Sequence, residues 1–281
     1  MNTMTTSSFD RREFLITVAG VGFALAAQPI MAQPAVITDT SGLVAGEVKI
    51  PVADGTLTAY RAQPATGKHF PVVLVVSEIF GVHEWIADIC RRLAQLGYLA
   101  IAPDLFARHG DPRKLEDIQQ ILTDIIAKTP DREVMSDLDA TVAWAKAEGA
   151  NMARLGITGF CWGGRITWMY AAHNPQVKAG VAWYGRIKAD VNVITPQHPI
   201  DIAAKLKVPV LGLYGGLDQT ISIDQVTEIR AALTQAHSQS EIHVYPHADH
   251  GFLADYRATY NKEAAEDGWQ RLQDWFKKYG V

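Results

Sequence analysis

Two spacings of apolar residues alternate along most of this chain. Val72-Val73-Leu74-Val75-Val76 is an unbroken apolar run of strand length, the pattern of a strand buried on both faces. Further runs of this kind lie at 98–102, 154–158, 179–183, 208–214 and 242–245. Between them the spacing changes to that of helices, at 85–96 and at about 133–147. Ser222-Ile223-Asp224-Gln225 reads as a capping box that opens a helix carrying Val226, Ile229 and Leu233 on one face. Ala265, Trp269, Leu272 and Phe276 mark an amphipathic helix near the C-terminus. Upstream, two segments at 44–50 and 56–63 flank Asp54-Gly55, a hairpin signal. The pattern predicts an α/β fold: a mostly parallel sheet with helices on both faces and an N-terminal antiparallel hairpin at one edge. No repeat or linker divides residues 33–281, which read as one domain.

Residues 1–32 do not fit that alternation. Arg11-Arg12 precede a mildly apolar stretch at 16–27, and Ile30-Met31-Ala32 offers a small-residue cleavage site. The stretch is short for a bilayer span. It resembles a twin-arginine (Tat) export signal, which implies the Tat machinery as a partner and a periplasmic or secreted destination. An ordinary secretory signal and a retained anchor are the other readings.

Composition narrows the function. At 48% hydrophobic residues the chain can build a large core. Thirty acidic against 26 basic residues give a net charge of −4, without the basic excess of a nucleic-acid binder. Two cysteines are too few for a disulfide framework or a four-cysteine zinc site. No metal and no cofactor is expected.

The two cysteines differ in setting. Cys90 sits among Ile86, Ile89 and Leu93 at helical spacing and reads as core. Cys161 lies in Gly159-Phe160-Cys161-Trp162-Gly163, between a predicted strand and a predicted helix. Gly-x-Cys-x-Gly there is a thiol version of the nucleophile elbow, whose turn is too sharp for side chains two residues either side. A helix N-terminus beyond the turn favours a thiolate and a developing oxyanion. In such a fold the acid and then the base follow later strands. Asp218 ends the turn after the run at 208–214, and His250 follows the run at 242–245. His247 and Asp249 are rivals nearby. His250 is preferred because it sits further out on the loop, and Asp218 because neighbours in sequence rarely orient each other. His69, His109, His173, His198 and His237 are expected at the surface, and His83 close to the active end.

These segments, with Ser77-Glu78-Ile79-Phe80-Gly81 and Ala102-Pro103-Asp104-Leu105-Phe106-Ala107-Arg108, resemble the dienelactone hydrolase family of α/β-hydrolases. The likeness covers about residues 44–279. It implies a nucleophile-controlling role for Glu78, an oxyanion hole from the backbone N–H groups of Ile79 and Trp162, and a carboxylate-holding role for Arg108. Members acting on dienelactone carry a second arginine four residues after the histidine. That position is Ala254 here, and Arg257 either substitutes for it or faces solvent. Trp85, Phe80, Phe106, Trp162, Tyr184 and Phe252 are candidates for an apolar pocket wall.

The expected activity is a cofactor-free, monomeric hydrolase of lactones or activated carboxylic esters, working through Cys161, His250 and Asp218. The rivals are a general exported carboxylesterase and a small-molecule binder on the same fold.

Overall fold

Alternation along β3 (Pro71–Val76) explains why the sheet is covered twice. Val72, Leu74 and Val76 pack into one apolar cluster, and Val73 and Val75 into a second, the two-residue period of a strand. The structure is a computed structural model and describes residues 36–281. The expected export segment, residues 1–32, lies outside the described residues.

The other strands are β1 (Leu43–Val52), β2 (Gly55–Pro64), β4 (Leu99–Pro103), β5 (Asn151–Phe160), β6 (Ala179–Trp183), β7 (Val210–Gly215) and β8 (Glu241–Tyr245). They form one sheet in the order β1-β2-β4-β3-β5-β6-β7-β8. The hairpin β1–β2 is antiparallel and joins β4 antiparallel, while every pair from β4 to β8 is parallel. One face is covered by α1 (Glu84–Gln95) and α7 (Lys262–Lys278). The other carries α3 (Asp131–Ala147), α4 (Trp162–His173) and α6 (Ile223–Gln235). This is the α/β-hydrolase arrangement.

Two short helices escape the sequence reading: α2 (Ile118–Asp124) and α5 (Pro199–Ile202). Asp117 caps α2 by accepting from the Gln119 amide, yet only Ile121 of that helix is fully buried, so its apolar period is short. At α6, Ser222 accepts from the Gln225 amide at 3.3 Å, but Gln225 Oε1 makes no return bond. Only half of the expected capping box forms.

The chain order reverses at β3, which has β4 on one side and β5 on the other. In open α/β sheets ligands gather outside the strand ends at such a point. Here α4 starts so close to β3 that only glycine fits. A Cβ on Gly163 would lie 2.3 Å from the Val76 carbonyl oxygen and 2.5 Å from that of Ser77. Gly163→Ala is therefore expected to cost about 2–3 kcal/mol through overpacking, read as a lowered urea midpoint. An unchanged midpoint would refute the close approach.

Candidate active site

Strand register sets the site. Val76 pairs with Gly159, Phe160 with Trp183, and Trp183 with Leu213, so β3, β5, β6 and β7 end together. Glu78, Cys161, Tyr184 and Asp218 follow those ends, and His250 follows β8.

Cys161 occupies the turn between β5 and α4 with φ 54° and ψ −112°. A positive φ is costly for a residue with a Cβ, and such strain clusters at functional positions. The turn is clamped, since the Cys161 amide donates to the Trp183 carbonyl at 3.0 Å and the Arg165 amide donates to the Cys161 carbonyl at 3.2 Å. The thiol sits at the start of a twelve-residue helix, whose first amides have no intrahelical acceptor.

His250 Nδ1 lies 2.7 Å from Asp218 Oδ2. The other carboxylate oxygen, Oδ1, accepts from the Thr220 hydroxyl at 2.6 Å and amide at 2.7 Å, and from the Ile221 amide at 3.2 Å. Burial pushes Asp218 up. The His250 charge and hydrogen bond, with the two Thr220 bonds, outweigh it and hold the carboxyl below its ordinary range. Burial likewise disfavours the His250 imidazolium, but charge and hydrogen bonding from Cys161 and Asp218 prevail and raise it to about 10. Asp218, His250 and Cys161 thus form one coupled electrostatic unit. His247 and Asp249 stand outside it: Asp249 Oδ1 accepts from the His250 amide, not the ring, and the His247 carbonyl accepts from Asn261.

Glu78 is fully buried. Its Oε1 accepts from Arg257 Nη2 at 2.9 Å, its Oε2 accepts from the Tyr256 hydroxyl, and His83 Nε2 is 3.8 Å away. Burial alone would raise the carboxyl. The Arg257 charge, His83 and the Tyr256 hydroxyl together bring it down to about 2. Arg257, whose direction the sequence left open, is buried at 4% exposure, with its guanidinium 5.3 Å from the Phe80 ring centre. Tyr256 carries no motif in the sequence. Adjacent aromatic and basic residues after the histidine were its only signal.

A cavity of about 140 Å³ opens over Cys161 and His250. Ile79, Trp162 and Tyr184 line it as expected, joined by Leu122 and Ile126 from the segment around α2. Several expected lining residues sit elsewhere. Arg108 is not in the wall. Its guanidinium grips Asp54 of the hairpin turn at 2.6 and 2.7 Å and Asp137 of α3 at 2.6 and 3.0 Å, so its donors hold the β1–β2 edge to α3. Trp85, Phe80 and Phe252 form a layer beneath the wall. Trp85 packs on Phe160 and Tyr256, Phe80 lies against Arg257, and Phe252 supports Tyr184 with centroids 5.4 Å apart. Phe106 backs Trp162 at 4.7 Å. Each is too large and apolar to stay at a wet wall when a buried neighbour can take it.

The cavity's basic residues are Arg165 and Arg186. Arg165 is buried. It spans Asp131 with two bonds of 2.7 Å and donates to the Gln197 carbonyl and to His198 Nδ1. His198, expected at the surface, is buried because it accepts that bond. Burial and the Arg165 charge push its imidazolium down. Cys90 and Cys161 are both free, and burial pushes the Cys90 thiol up. Among the described residues no group of His, Cys, Asp and Glu could hold a metal ion.

Comparison with known proteins gives the chain's family. The model of the Dienelactone hydrolase family matches residues 57–280. A protein of Methylorubrum extorquens named "Putative carboxymethylenebutenolidase" is 58% identical, over 98% of this chain and 95% of its own length. An Escherichia coli K12 protein of the same name is 52% identical, over 95% of this chain and 98% of its own. A crystal structure described as "Putative Dienelactone Hydrolase", from Klebsiella pneumoniae, is 53% identical with a TM-score of 0.83, covering 84% of this chain and 99% of its own. The chain belongs to the dienelactone hydrolase family, and its fold is that of the α/β-hydrolases.

Proposed function

We propose that this chain hydrolyses lactones or activated carboxylic esters by attack of Cys161 on the carbonyl carbon. The observation that carries the reading is the coupling of His250 to Asp218 at 2.7 Å and to Cys161, at one end of one cavity. The Cys161 sulfur bonds to the carbonyl carbon, and the oxygen takes the negative charge facing the Ile79 and Trp162 amides. As the tetrahedral centre collapses, the C–O bond breaks and His250 gives its proton to the leaving oxygen. Water then attacks the thioester, with His250 accepting its proton, and the acid departs as the thiolate reforms. Asp218 holds the imidazole in place and balances its charge. Glu78, beside the nucleophile and tied by Arg257, governs whether Cys161 carries charge, because like charges in one buried site oppose each other.

A small cavity suits a compact ring or short ester, since drug-sized ligands occupy pockets of roughly 300 Å³ or more. Where the substrate bears a carboxylate, Arg186, an exposed residue of the cavity wall, is the arginine placed to reach it, and Arg108 lies outside that wall on Asp54 and Asp137. The relatives named as carboxymethylenebutenolidases support the lactone. The proposal includes Tat-dependent export directed by residues 1–32, and a monomer as the working form.

Cys161→Ala should reduce turnover of an activated ester by at least about 10³-fold with thermal melting nearly unchanged; retained turnover would end the assignment. In a pH profile, kcat/KM should fall as pH rises through about 10, where His250 loses the proton it must give to the leaving group. Stability responds at both ends. The His250 contribution is complete below its ordinary 6.5 and is lost as pH rises towards 10. That of Glu78 is complete above 4.5 and is lost as pH falls towards 2. Urea midpoints across pH check both, and Glu78→Gln should reduce the acid-side slope, leaving the part that Asp218 contributes.

The two arginines separate cleanly. Arg186→Ala should raise KM for a carboxylate-bearing lactone about tenfold while sparing a neutral ester. Arg108→Ala should leave both KM values alone and cost about 1–3 kcal/mol by stranding the buried Asp137. The reverse outcome would restore Arg108 to the site.

A further inference from the structure

The cavity wall holds a hydroxyl that the protein itself does not engage. Tyr184 Oη is buried and has no hydrogen-bond partner among the described residues. An unsatisfied buried hydroxyl costs about 1–3 kcal/mol, a penalty that phenylalanine at the same place would avoid. A second cost falls on the same residue, whose backbone sits at φ 38°, strained for a bulky side chain. Tyr184 directly follows β6, beside the turn that carries Cys161, with its amide held by the Leu213 carbonyl at 2.7 Å. Two penalties at one wall position of a reactive cavity point to a task performed there.

Position narrows the task. The Tyr184 ring lies 5.1 Å from the His250 ring, centroid to centroid, and 5.4 Å from Phe252, which fixes its tilt. The hydroxyl feels the charges of Glu78, Arg257, Tyr256 and Cys161. Burial, reinforced by the Glu78 charge, keeps it protonated far above its ordinary range, so it acts as a fixed donor and never as a base. The other charges of the site already have donors. Glu78 has Arg257 and Tyr256, Asp218 has His250 and Thr220, and in the proposed reaction the oxyanion has the two backbone amides. The oxygen that departs on the His250 side has His250 alone.

We infer that the Tyr184 hydroxyl donates a hydrogen bond to the leaving oxygen of the substrate as the C–O bond breaks. The inference rests on the proposed attack by Cys161 with His250 as acid. The ledger stays simple: the bonding pair goes to the leaving oxygen, His250 supplies its proton, and Tyr184 keeps its own. A donor without a partner in the resting site is satisfied only when charge develops before it, so its contribution falls on the transition state.

The test is Tyr184→Phe, assayed as kcat/KM on esters of one acid with alkyl, phenyl and p-nitrophenyl leaving groups. The loss should be about 10- to 100-fold for the alkyl ester, the value of a hydrogen bond to a charged group. It should shrink to about threefold or less for p-nitrophenyl, whose oxygen needs little help. Melting temperature should stay level or rise, because the variant loses an unsatisfied hydroxyl and no bond. Alkylation of Cys161 by iodoacetamide should be unchanged. An equal loss across the series, no loss, or slowed alkylation would each overturn the assignment. Cys161→Ala run in parallel keeps the two readings apart. If it abolishes turnover while Tyr184→Phe behaves as wild type, only the inference about Tyr184 fails; if it retains turnover, the nucleophile assignment fails.

Discussion

The site hangs on the burial of one carboxylate. Glu78 has no contact with solvent and stays charged chiefly because Arg257, arriving from the loop after β8, meets it at 2.9 Å, with His83 and Tyr256 in support. Removing one partner of such a pair leaves a buried charge uncompensated, at about 3–5 kcal/mol. The interaction therefore pins the end of β3 to the segment that also presents His250. Gly251, at φ 79°, lets that segment turn under the Arg257 side chain, which a Cβ there would meet at 3.0 Å. Arg257 sits seven residues beyond His250, so the turn between them must close on itself to bring the guanidinium back to the sheet edge.

A second constraint acts from the opposite face. The start of α4 is pressed against β3 at Gly163 and against the Trp183–Gly185 backbone at Gly164, where a Cβ would meet the Trp183 carbonyl oxygen at 2.5 Å. These approaches leave Cys161 no relaxed backbone conformation. Strain at Cys161, strain at Tyr184 and the buried ion pair all lie within the same strand ends. The rest of the sheet, with apolar layers on both faces, absorbs those costs.

Much of this was readable from the chain, and for a physical reason. Doubly buried strands such as β3 must be apolar throughout, and the elbow must have glycine at both flanks, so both leave local marks. Strand order points to the turns after β7 and β8, and position within them favours Asp218 over Asp249 and His250 over His247. What local pattern does not carry is the aim of a long side chain. Arg108 stands in the expected motif, yet Asp54 and Asp137 claim it, one from the hairpin turn and one from α3, and their convergence exists only in the fold. Arg257 could equally have faced water, and its direction is decided by a carboxylate far away in sequence. Helix α2 is short and half-exposed, so its period is weak, although it brings Leu122 into the cavity that Cys161 lines. His198 reads as a loop residue until Arg165 is known to need its nitrogen.

The distance along the chain between Glu78 and Arg257 also bears on when the thiol acquires its setting. The elbow is complete once β3, β5, α4 and β6 are in place, but Asp218, His250 and Arg257 all come later. Until the final segment docks, Cys161 belongs to a chain in which neither Glu78 has its cation nor the thiol its imidazole. A chain emerging from the ribosome thus carries Cys161 without these neighbours, and the site comes into being only when the loop after β8 docks.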